Sequence, residues 1–325
     1  MSRALPLVWE QALASAVRAP SLYNTQPWRF VVEPDLVQVW LDRDRVLAVA
    51  DPRAGEARLA CGAAVFNAVT ALRAGGVEVE TRIRPDRARP DLLATLRLDG
   101  KHRATAEDGQ LARAVFQRRT NRFPFLDQEV PAAVLARLRS AARSAGGYLK
   151  YLRAPGRYAQ AVSLIRRAEA QQASEPAFDA EAAYWTDRRP GCLDGVPRTA
   201  AGPPACALPV APVRASHRNP RLSPRVYEQE PLLAVVLTRE VGPGAEVEAG
   251  MTLQRVLLTV TVAGLSASLL TQPFEIPAIR REFDRLFPDG RCPQTLLRLG
   301  YGYRTPPTSR RPVESVVAEG HLIVS

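Results

Sequence analysis

Residues 62–76 read GAAVFNAVTALRAGG, and residues 250–264 read GMTLQRVLLTVTVAG. Glycine stands at both ends of each stretch, and the positions between the glycines are mostly apolar. The pattern predicts helices at 59–72 and 249–263, and a helix that is apolar on nearly every face belongs in a protein core. A strand-like segment follows each helix. Two related halves packed together explain the repetition, and chance similarity between two helices rich in Ala, Val and Leu is the alternative.

The rest of the chain alternates between short helices and short strands. Further helices are predicted at 7–18, 112–118, 131–143, 157–171, 180–185 and 277–287, and strands at 28–32, 37–41, 77–83, 92–98, 148–152, 232–238, 265–270 and 295–299. Residues 173–231 are rich in Pro, Ala and Gly and show little periodicity. A segment of that length inside a compact domain is typically a lid or a disordered region.

The composition argues against several classes of protein. The chain has 325 residues and no run of about 18 apolar residues, so no membrane-spanning helix is expected. Its start lacks the pattern of a signal peptide. Four scattered cysteines and three histidines argue against a zinc site and against a disulfide framework. We therefore expect a cytoplasmic protein without a metal.

The net charge of +11 does not by itself predict nucleic-acid binding. Every basic residue except Lys101 and Lys150 is an arginine, and acidic residues are interspersed with the arginines, as in DRDR at 42–45. This usage indicates codon bias rather than a basic face, so no nucleic-acid partner is expected. Local arginine clusters remain candidates for binding the phosphate of a small molecule.

Residues 19–30 read APSLYNTQPWRF and hold polar side chains between two prolines. Ser21, Asn24 and Gln26 offer both donors and acceptors of hydrogen bonds, which the edge of a flat heterocycle requires. The alternative is a helix end followed by an ordinary turn, since Ser and Asn favour turns.

Two arginine-rich segments are candidates for phosphate binding. Arg118, Thr120 and Arg122 are spaced two residues apart, so an extended or turning backbone directs all three side chains toward one phosphate. A solvated basic face is the alternative. Near the C-terminus, Arg310 and Arg311 form a second possible phosphate clamp or simply a basic tail.

A further candidate segment is TQPFE, residues 271–275, which follows a predicted buried strand. Pro273 fixes a turn beside Gln272, so that a following backbone N–H can point into a site. The chain has no G-x-G-x-x-G that opens a helix, no P-loop, no G-x-S-x-G and no H-E-x-x-H. Its histidines fall in predicted loops and give a nucleophile no convincing base. We expect no dedicated catalytic side chain and a bound cofactor that supplies the reactive atom.

Together these segments resemble the FMN-dependent nitroreductase superfamily, and in particular its Acg-like branch. Residues 19–30 look like its A-P-S-x-x-N-x-Q-P-W-x-F signature, and Asp51-Pro52 followed by CGAA at 61–64 is similar to an Acg-like segment. Residues 118–122 look like the R-R-[ST]-x-R motif, and residues 271–275 and 310–314 resemble later flavin segments. The resemblance spans most of the chain and is weakest at 173–225.

The resemblance implies an α+β nitroreductase-like fold in which two fused halves, 1–108 and 109–325, mimic a homodimer. Each half is expected to have a central antiparallel or mixed sheet wrapped by helices. One FMN is expected between the halves, because residues 141–145 look like a degenerate A-P-S region. The implied flavin contacts are Ser21, Asn24 and Gln26 to the ring, Arg118, Thr120, Arg122 and Arg310 or Arg311 to the phosphate, and Gln272, Pro273 and the Glu275 N–H near flavin N5.

The resemblance also implies an oxidoreductase that transfers hydride from NAD(P)H through flavin N5 to a small organic acceptor. A flavin-storage protein with little turnover is the alternative, with residues 173–231 as a Pro-rich lid and Tyr184-Trp185 lying over the flavin. That aromatic pair is equally consistent with ordinary core filling. A dehydrogenase that does not use NAD(P)H is a third possibility, and a monomer and a homodimer both remain open.

Overall fold

The structure is a computed structural model that describes residues 6–186, 188, 191–201, 228 and 230–318. In chain order its elements are α1 (Leu7–Ala16), β1 (Trp28–Val32), β2 (Leu36–Leu41), α2 (Gly55–Ala74), β3 (Val77–Ile83), β4 (Leu92–Lys101), α3 (Ala106–Gln117), α4 (Ala132–Ser144), β5 (Tyr148–Tyr151), α5 (Pro155–Ser174), α6 (Pro176–Thr186), β6 (Leu232–Thr238), α7 (Pro243–Val262), β7 (Ser266–Leu270), α8 (Gln272–Glu275), α9 (Pro277–Asp284) and β8 (Cys292–Gly300). Within the predicted lid, residues 187, 189, 190, 202–227 and 229 lie outside the described residues.

The described strands form two four-stranded sheets that share one topology. The first has the order β1-β2-β4-β3 and the second β5-β6-β8-β7, and every pairing within them is antiparallel. In each half a helix precedes the first strand, and a 20-residue helix separates the second strand from the third. The predicted α+β fold with two similar halves is confirmed. The boundary predicted at 108/109 falls within α3 and stays a prediction.

The two long helices cross in direct backbone contact at the centre of the molecule. A Cβ atom on Gly62 would lie closer than 3.0 Å to the carbonyl oxygen of Val247, and one on Gly250 would lie equally close to that of Leu59. Val247 precedes Gly250 by three residues, just as Leu59 precedes Gly62. Each helix therefore makes the same contact on the other, and the sequence repeat corresponds to a repeat in space.

The same two helices also end alike. Gly75 and Ala263 both have φ −79° and ψ 2°, and the next residues, Gly76 and Gly264, have φ +80° and +71°. A glycine in the left-handed region is a common way to end a helix because it lacks the Cβ that would clash there. The chain then turns directly into the third strand of each half.

We call the crossing of α2 and α7 the seam. Side chains of opposite charge meet there at equivalent positions of the two helices. Arg58 and Glu246 both precede their crossing glycine by four residues, and Arg58 Nε lies 2.5 Å from Glu246 Oε2. Their side chains are only 11% and 15% exposed. The seam is therefore similar in its backbone in the two halves but complementary in charge.

Two segments run along the outer edges of the sheets. The Asn121 N–H donates to the Ala267 carbonyl on β7 at 2.8 Å, which places residues 118–122 beside the second sheet. The Phe30 N–H on β1 donates to the Val316 carbonyl, also at 2.8 Å, so the C-terminal segment reaches the first sheet. Both arginine-rich segments are thereby brought to the region where the halves meet.

Some element ends differ from the predictions because local caps decide them. Helix α3 begins at Ala106, six residues before the predicted start, because Thr105 and Asp108 form a reciprocal capping box. Residues 272–275, predicted only as a turn, form the short helix α8. None of the described helices is both long and apolar enough to cross a membrane. Of the thiols that the structure describes, Cys61, Cys192 and Cys292 are free.

Candidate functional site

The N-terminal polar motif adopts a strained loop between α1 and β1. Tyr23, Asn24 and Gln26 have φ values of 47°, 59° and 55°, in the left-handed region that side-chain-bearing residues rarely adopt. The Ser21 hydroxyl accepts a hydrogen bond from the Gln26 N–H at 3.0 Å and closes the loop. Residues held in such conformations cluster at binding sites, where the surrounding structure compensates for the strain.

This loop forms one wall of a cavity to which both halves contribute. The lining residues are drawn from 18–24 and 56–60 of the first half and from 115–122, 269–271 and 306–310, together with Val196. Its enclosed volume is about 80 Å³, and the space is about 1030 Å³ when the gaps between atoms and the open solvent at the mouth are included. Ser21, Asn24, Arg118, Thr120, Arg122 and Arg310 all line it. Six of the predicted contact residues, separated by nearly 290 positions in sequence, therefore lie around one cavity.

The arginines of this cavity are held by neutral partners. Arg118 Nη2 donates to the Arg18 carbonyl at 3.2 Å, and Arg310 Nη2 donates to the Ala19 carbonyl at 3.1 Å. Across the described ranges, neither guanidinium nor that of Arg122 forms an ion pair with a carboxylate. Carbonyl oxygens orient these groups but do not neutralise their charge.

Burial of this uncompensated charge changes the acidity of the arginines. Burial lowers the pKa of Arg118 and of Arg122 to about 10, with the neighbouring Arg119 and Arg122 contributing at Arg118. Burial and repulsion from Arg118, Arg18, Arg119 and Arg122 lower the pKa of Arg310 to about 9. The buried Nε atoms of Arg118, Arg122 and Arg310 have no hydrogen-bond partner within the described part of the chain. Such a cluster fits a bound anion that accepts several charge-assisted hydrogen bonds.

A short segment of the predicted lid is fastened to the motif. Asn24 Nδ2 donates to the Gly195 carbonyl at 2.9 Å, and Gln26 Nε2 donates to the Leu193 carbonyl at 2.8 Å. Between these two anchors, Asp194 lies 3.2 Å from an Arg45 Nη atom. The amide groups of Asn24 and Gln26 thus hold residues 193–195 over the loop, while the buried Asn24 Oδ1 has no hydrogen-bond partner among the described residues.

The structure places the remaining predicted contacts outside the cavity wall. Gln26 is fully buried, and its Oε1 accepts a hydrogen bond from the Arg311 N–H at 2.8 Å. The Arg311 side chain faces Asp42 and donates to the Ser315 carbonyl at 2.7 Å, so Arg310 is the member of that pair at the cavity. Gln272, Pro273 and Glu275 lie behind Thr271, which does line the cavity.

Tyr184 and Trp185 also lie away from the cavity wall. Their rings form an edge-to-face pair 5.3 Å apart, and Trp185 packs near Leu22 and Tyr23. The Arg188 guanidinium stacks over both rings at 4.2 and 4.7 Å from their centroids. The pair therefore supports the outside of the loop.

Sequence reasoning missed several residues that line the cavity. Arg18 and Arg119 extend the positive charge, and each directly adjoins a motif that was recognised. Glu56 gave no signal, because it lies near the start of a helix far from either motif in sequence. In the described ranges, no three or more His, Cys, Asp or Glu side chains are grouped as a metal site would require.

Comparison with known proteins identifies relatives of this chain. A Mycobacterium tuberculosis protein provisionally named NAD(P)H nitroreductase Rv3131 is 32% identical over 317 residues, covering 94% of this chain and 89% of the relative. The chain belongs to the nitroreductase family. The nitroreductase Acg of the same organism is 28% identical over 325 residues, covering 95% of each chain, so the predicted resemblance to the Acg-like branch is confirmed. No protein-family model matches this nitroreductase.

Solved structures similar to this nitroreductase include two with FMN in their descriptions. A Bacteroides fragilis nitroreductase with bound FMN has a TM-score of 0.39 and 11% identity, covering 66% of this chain and 97% of its own. A Desulfitobacterium hafniense nitroreductase with bound FMN has a TM-score of 0.41 and 15% identity, covering 65% and 98%. The family assignment rests on the mycobacterial relatives.

Proposed function

We propose that this nitroreductase binds one FMN in the cavity and uses it to transfer hydride from NAD(P)H to a small organic acceptor. The observation that carries the proposal is the cluster of buried arginines that no described carboxylate neutralises. A dianionic phosphate is the chemical complement of such a cluster. A cytoplasmic location, where NAD(P)H is available, and a monomer whose two halves replace a homodimer are parts of the same proposal.

The chain's own residues divide the work of holding the cofactor. Arg118, Thr120, Arg122 and Arg310 would bind the phosphate. Asn24 Oδ1, which has no partner in the described part of the chain, would face the ring together with Ser21. Gln26 and Arg311 would act from behind by fixing the strained loop, and residues 272–275 would support the far end of the ring. When bound, FMN supplies reversible hydride chemistry that no side chain provides.

A flavin-storage protein is the second candidate, and a specific observation favours it. The amides of Asn24 and Gln26 hold the lid backbone at 2.9 and 2.8 Å, and Arg122 donates to the Ala200 carbonyl at 3.2 Å. A lid fastened by cavity residues would hinder entry of a second substrate. Anaerobic mixing of FMN-loaded protein with NADPH separates the candidates, because rapid bleaching of the flavin band indicates an enzyme and persistent colour indicates storage.

The phosphate assignment is tested by comparing FMN with riboflavin, which lacks the phosphate. We expect the wild type to bind FMN at one per chain and far more tightly than riboflavin. Arg118→Gln removes charge-assisted hydrogen bonds worth about 1.5–3 kcal/mol, so it should weaken FMN binding by about 10- to 100-fold and leave riboflavin binding nearly unchanged. Fluorescence titration measures both affinities.

The matched control is Arg87→Gln, which makes the same charge change at an exposed loop residue. It should bind both ligands as the wild type does. Equal affinity of the wild type for FMN and riboflavin, or no uptake of FMN at all, would contradict the proposed function.

A further inference from the structure

The cavity is lined by side chains of opposite chemical character. Arg118, Arg122 and Arg310 line it together with Glu56, which lies in the first turn of α2. Among the described residues that line the cavity, Glu56 is the one that carries a carboxyl group. A ligand whose phosphate binds at the arginines therefore shares the cavity with this group.

The surroundings of Glu56 are mostly acidic. The negative charges of three carboxylates act on its pKa: Asp51 before α2, Glu246 on α7 and Glu275 on α8. The positive charge of Arg280 on α9 opposes their effect on the pKa of Glu56, and Arg58 forms an ion pair with Glu246. Burial and these carboxylates raise the pKa of Glu56 well above its usual range, despite the opposing attraction of Arg280. The raised pKa favours the protonated form of this side chain.

Unpartnered polar atoms give independent evidence that a ligand belongs in this cavity. Asn24 is 5% exposed, lines the cavity, and has no hydrogen-bond partner for its Oδ1 in the described structure. The buried Nε atoms of Arg118, Arg122 and Arg310, which line the same cavity, are in the same condition among the described residues. Glu275 Oε2 accepts a 2.6 Å hydrogen bond from Gln172 Nε2. Of these two carboxyl groups, Glu56 is the one that lines the cavity.

We propose that Glu56 is a catalytic acid, whose carboxyl group protonates the organic acceptor as that acceptor is reduced in the cavity. The inference rests on the proposed function and adds a residue to it. Reduction of a quinone to a hydroquinone takes up one hydride and one proton. NAD(P)H is the source of the hydride, and Glu56 provides the proton. The carboxyl O–H bond breaks, an O–H bond forms on the quinone, and the resulting carboxylate regains a proton from water at the cavity mouth.

The test uses Glu56→Gln, which keeps the shape of the side chain but cannot release a proton. FMN-loaded protein is reduced with NADPH, or with dithionite if NADPH does not react, and then mixed with menadione. We expect FMN affinity and thermal stability within twofold and 2 °C of wild type, and reoxidation slowed by about 100-fold. Glu10→Gln, an exposed change of the same kind on α1, is the control and should behave as wild type.

Two further readouts separate an acid from a merely structural residue. The infrared absorption of protonated carboxyl groups at pH 7, with or without FMN, should be weaker in Glu56→Gln than in the wild type by the contribution of one carboxyl group. Glu275→Gln removes a neighbouring negative charge and makes Glu56 easier to ionise. The alkaline fall of the wild-type reoxidation rate should therefore move to lower pH in that variant.

The possible outcomes are distinguishable. Protein that takes up no FMN overturns the proposed function and this inference together. Protein that binds FMN, but whose Glu56→Gln variant reoxidises at the wild-type rate across the pH range, overturns only the role of Glu56. An unchanged carboxyl band in that variant does the same, because the proton then resides on another group.

Discussion

At the residue scale, Asp51 shows how the start of α2 makes stability depend on pH. Its carboxylate is 7% exposed and accepts hydrogen bonds from the Glu56 and Ala57 N–H groups at 3.2 and 2.8 Å. Burial outweighs these bonds and raises the pKa of Asp51 to about 6. Between pH 4 and 6 the folded chain then binds a proton at Asp51 that the unfolded chain has already released.

The raised pKa of Asp51 fixes the direction of this pH dependence. The contribution of Asp51 to the free energy of unfolding should fall as pH rises from about 4 to 6, by an amount on the order of 3 kcal/mol. Asp51→Asn still accepts a backbone hydrogen bond but cannot titrate. The difference between the two unfolding free energies, measured in urea at pH 4, 5, 6 and 7, should therefore change over that window. A constant difference would show that Asp51 ionises in the folded state at its ordinary pKa.

At the element scale, the crossing of α2 and α7 depends on the absence of two side chains. Gly250→Ala places a Cβ against the backbone of Leu59 and Ala63, which cannot move aside as a side chain would. We expect the helices to separate and the free energy of unfolding in urea to fall by about 2–3 kcal/mol. Gly62→Ala should have a similar cost, because it makes the equivalent contact with Val247.

The control at this scale is Gly156→Ala in the first turn of α5. That position is exposed, and nothing lies within 4 Å of the Cβ atom it would gain. Because Ala is the better helix former, the substitution should be neutral or stabilise by up to about 1 kcal/mol. If Gly156→Ala lowered the free energy of unfolding as much as Gly250→Ala, both losses would come from placing alanine in a helix and not from the crossing.

At the scale of the whole molecule, the seam has features that identical subunits would not permit. In a symmetric dimer the same residue would occupy both positions now held by Arg58 and Glu246, and like charges would meet. Fusion of the halves into one chain allows unlike charges instead, paired at 2.5 Å in a largely buried setting. Removing one partner leaves the other charge buried and unpaired, which is costly.

A double-mutant cycle tests this interpretation of the seam. Arg58→Met and Glu246→Gln should each lower the free energy of unfolding by about 3 kcal/mol. The double variant should lose less than the sum of the two by at least about 1 kcal/mol, because neither charge remains unpaired. Strict additivity of the two losses would mean that the pair does not couple the halves.

The sequence alone determined the features that depend on neighbouring residues. Apolar periodicity located nearly every helix and strand, and the repeated glycines revealed the two halves before any contact was known. The two-residue spacing of Arg118, Thr120 and Arg122 predicted a shared target, because side chains along an extended segment follow from local geometry. All three do line one cavity.

Only the tertiary structure decided the features that depend on distant parts of the chain. The left-handed backbone of Tyr23, Asn24 and Gln26 turns the amides of Asn24 and Gln26 toward residues 193–195, and no local propensity predicts that direction. The choice of Arg310 over Arg311 at the cavity followed from the pairing of Arg311 with Asp42. Glu56 became notable only when folding surrounded it with Glu246 and Glu275, because proton affinity depends on burial and neighbouring charge rather than on sequence position.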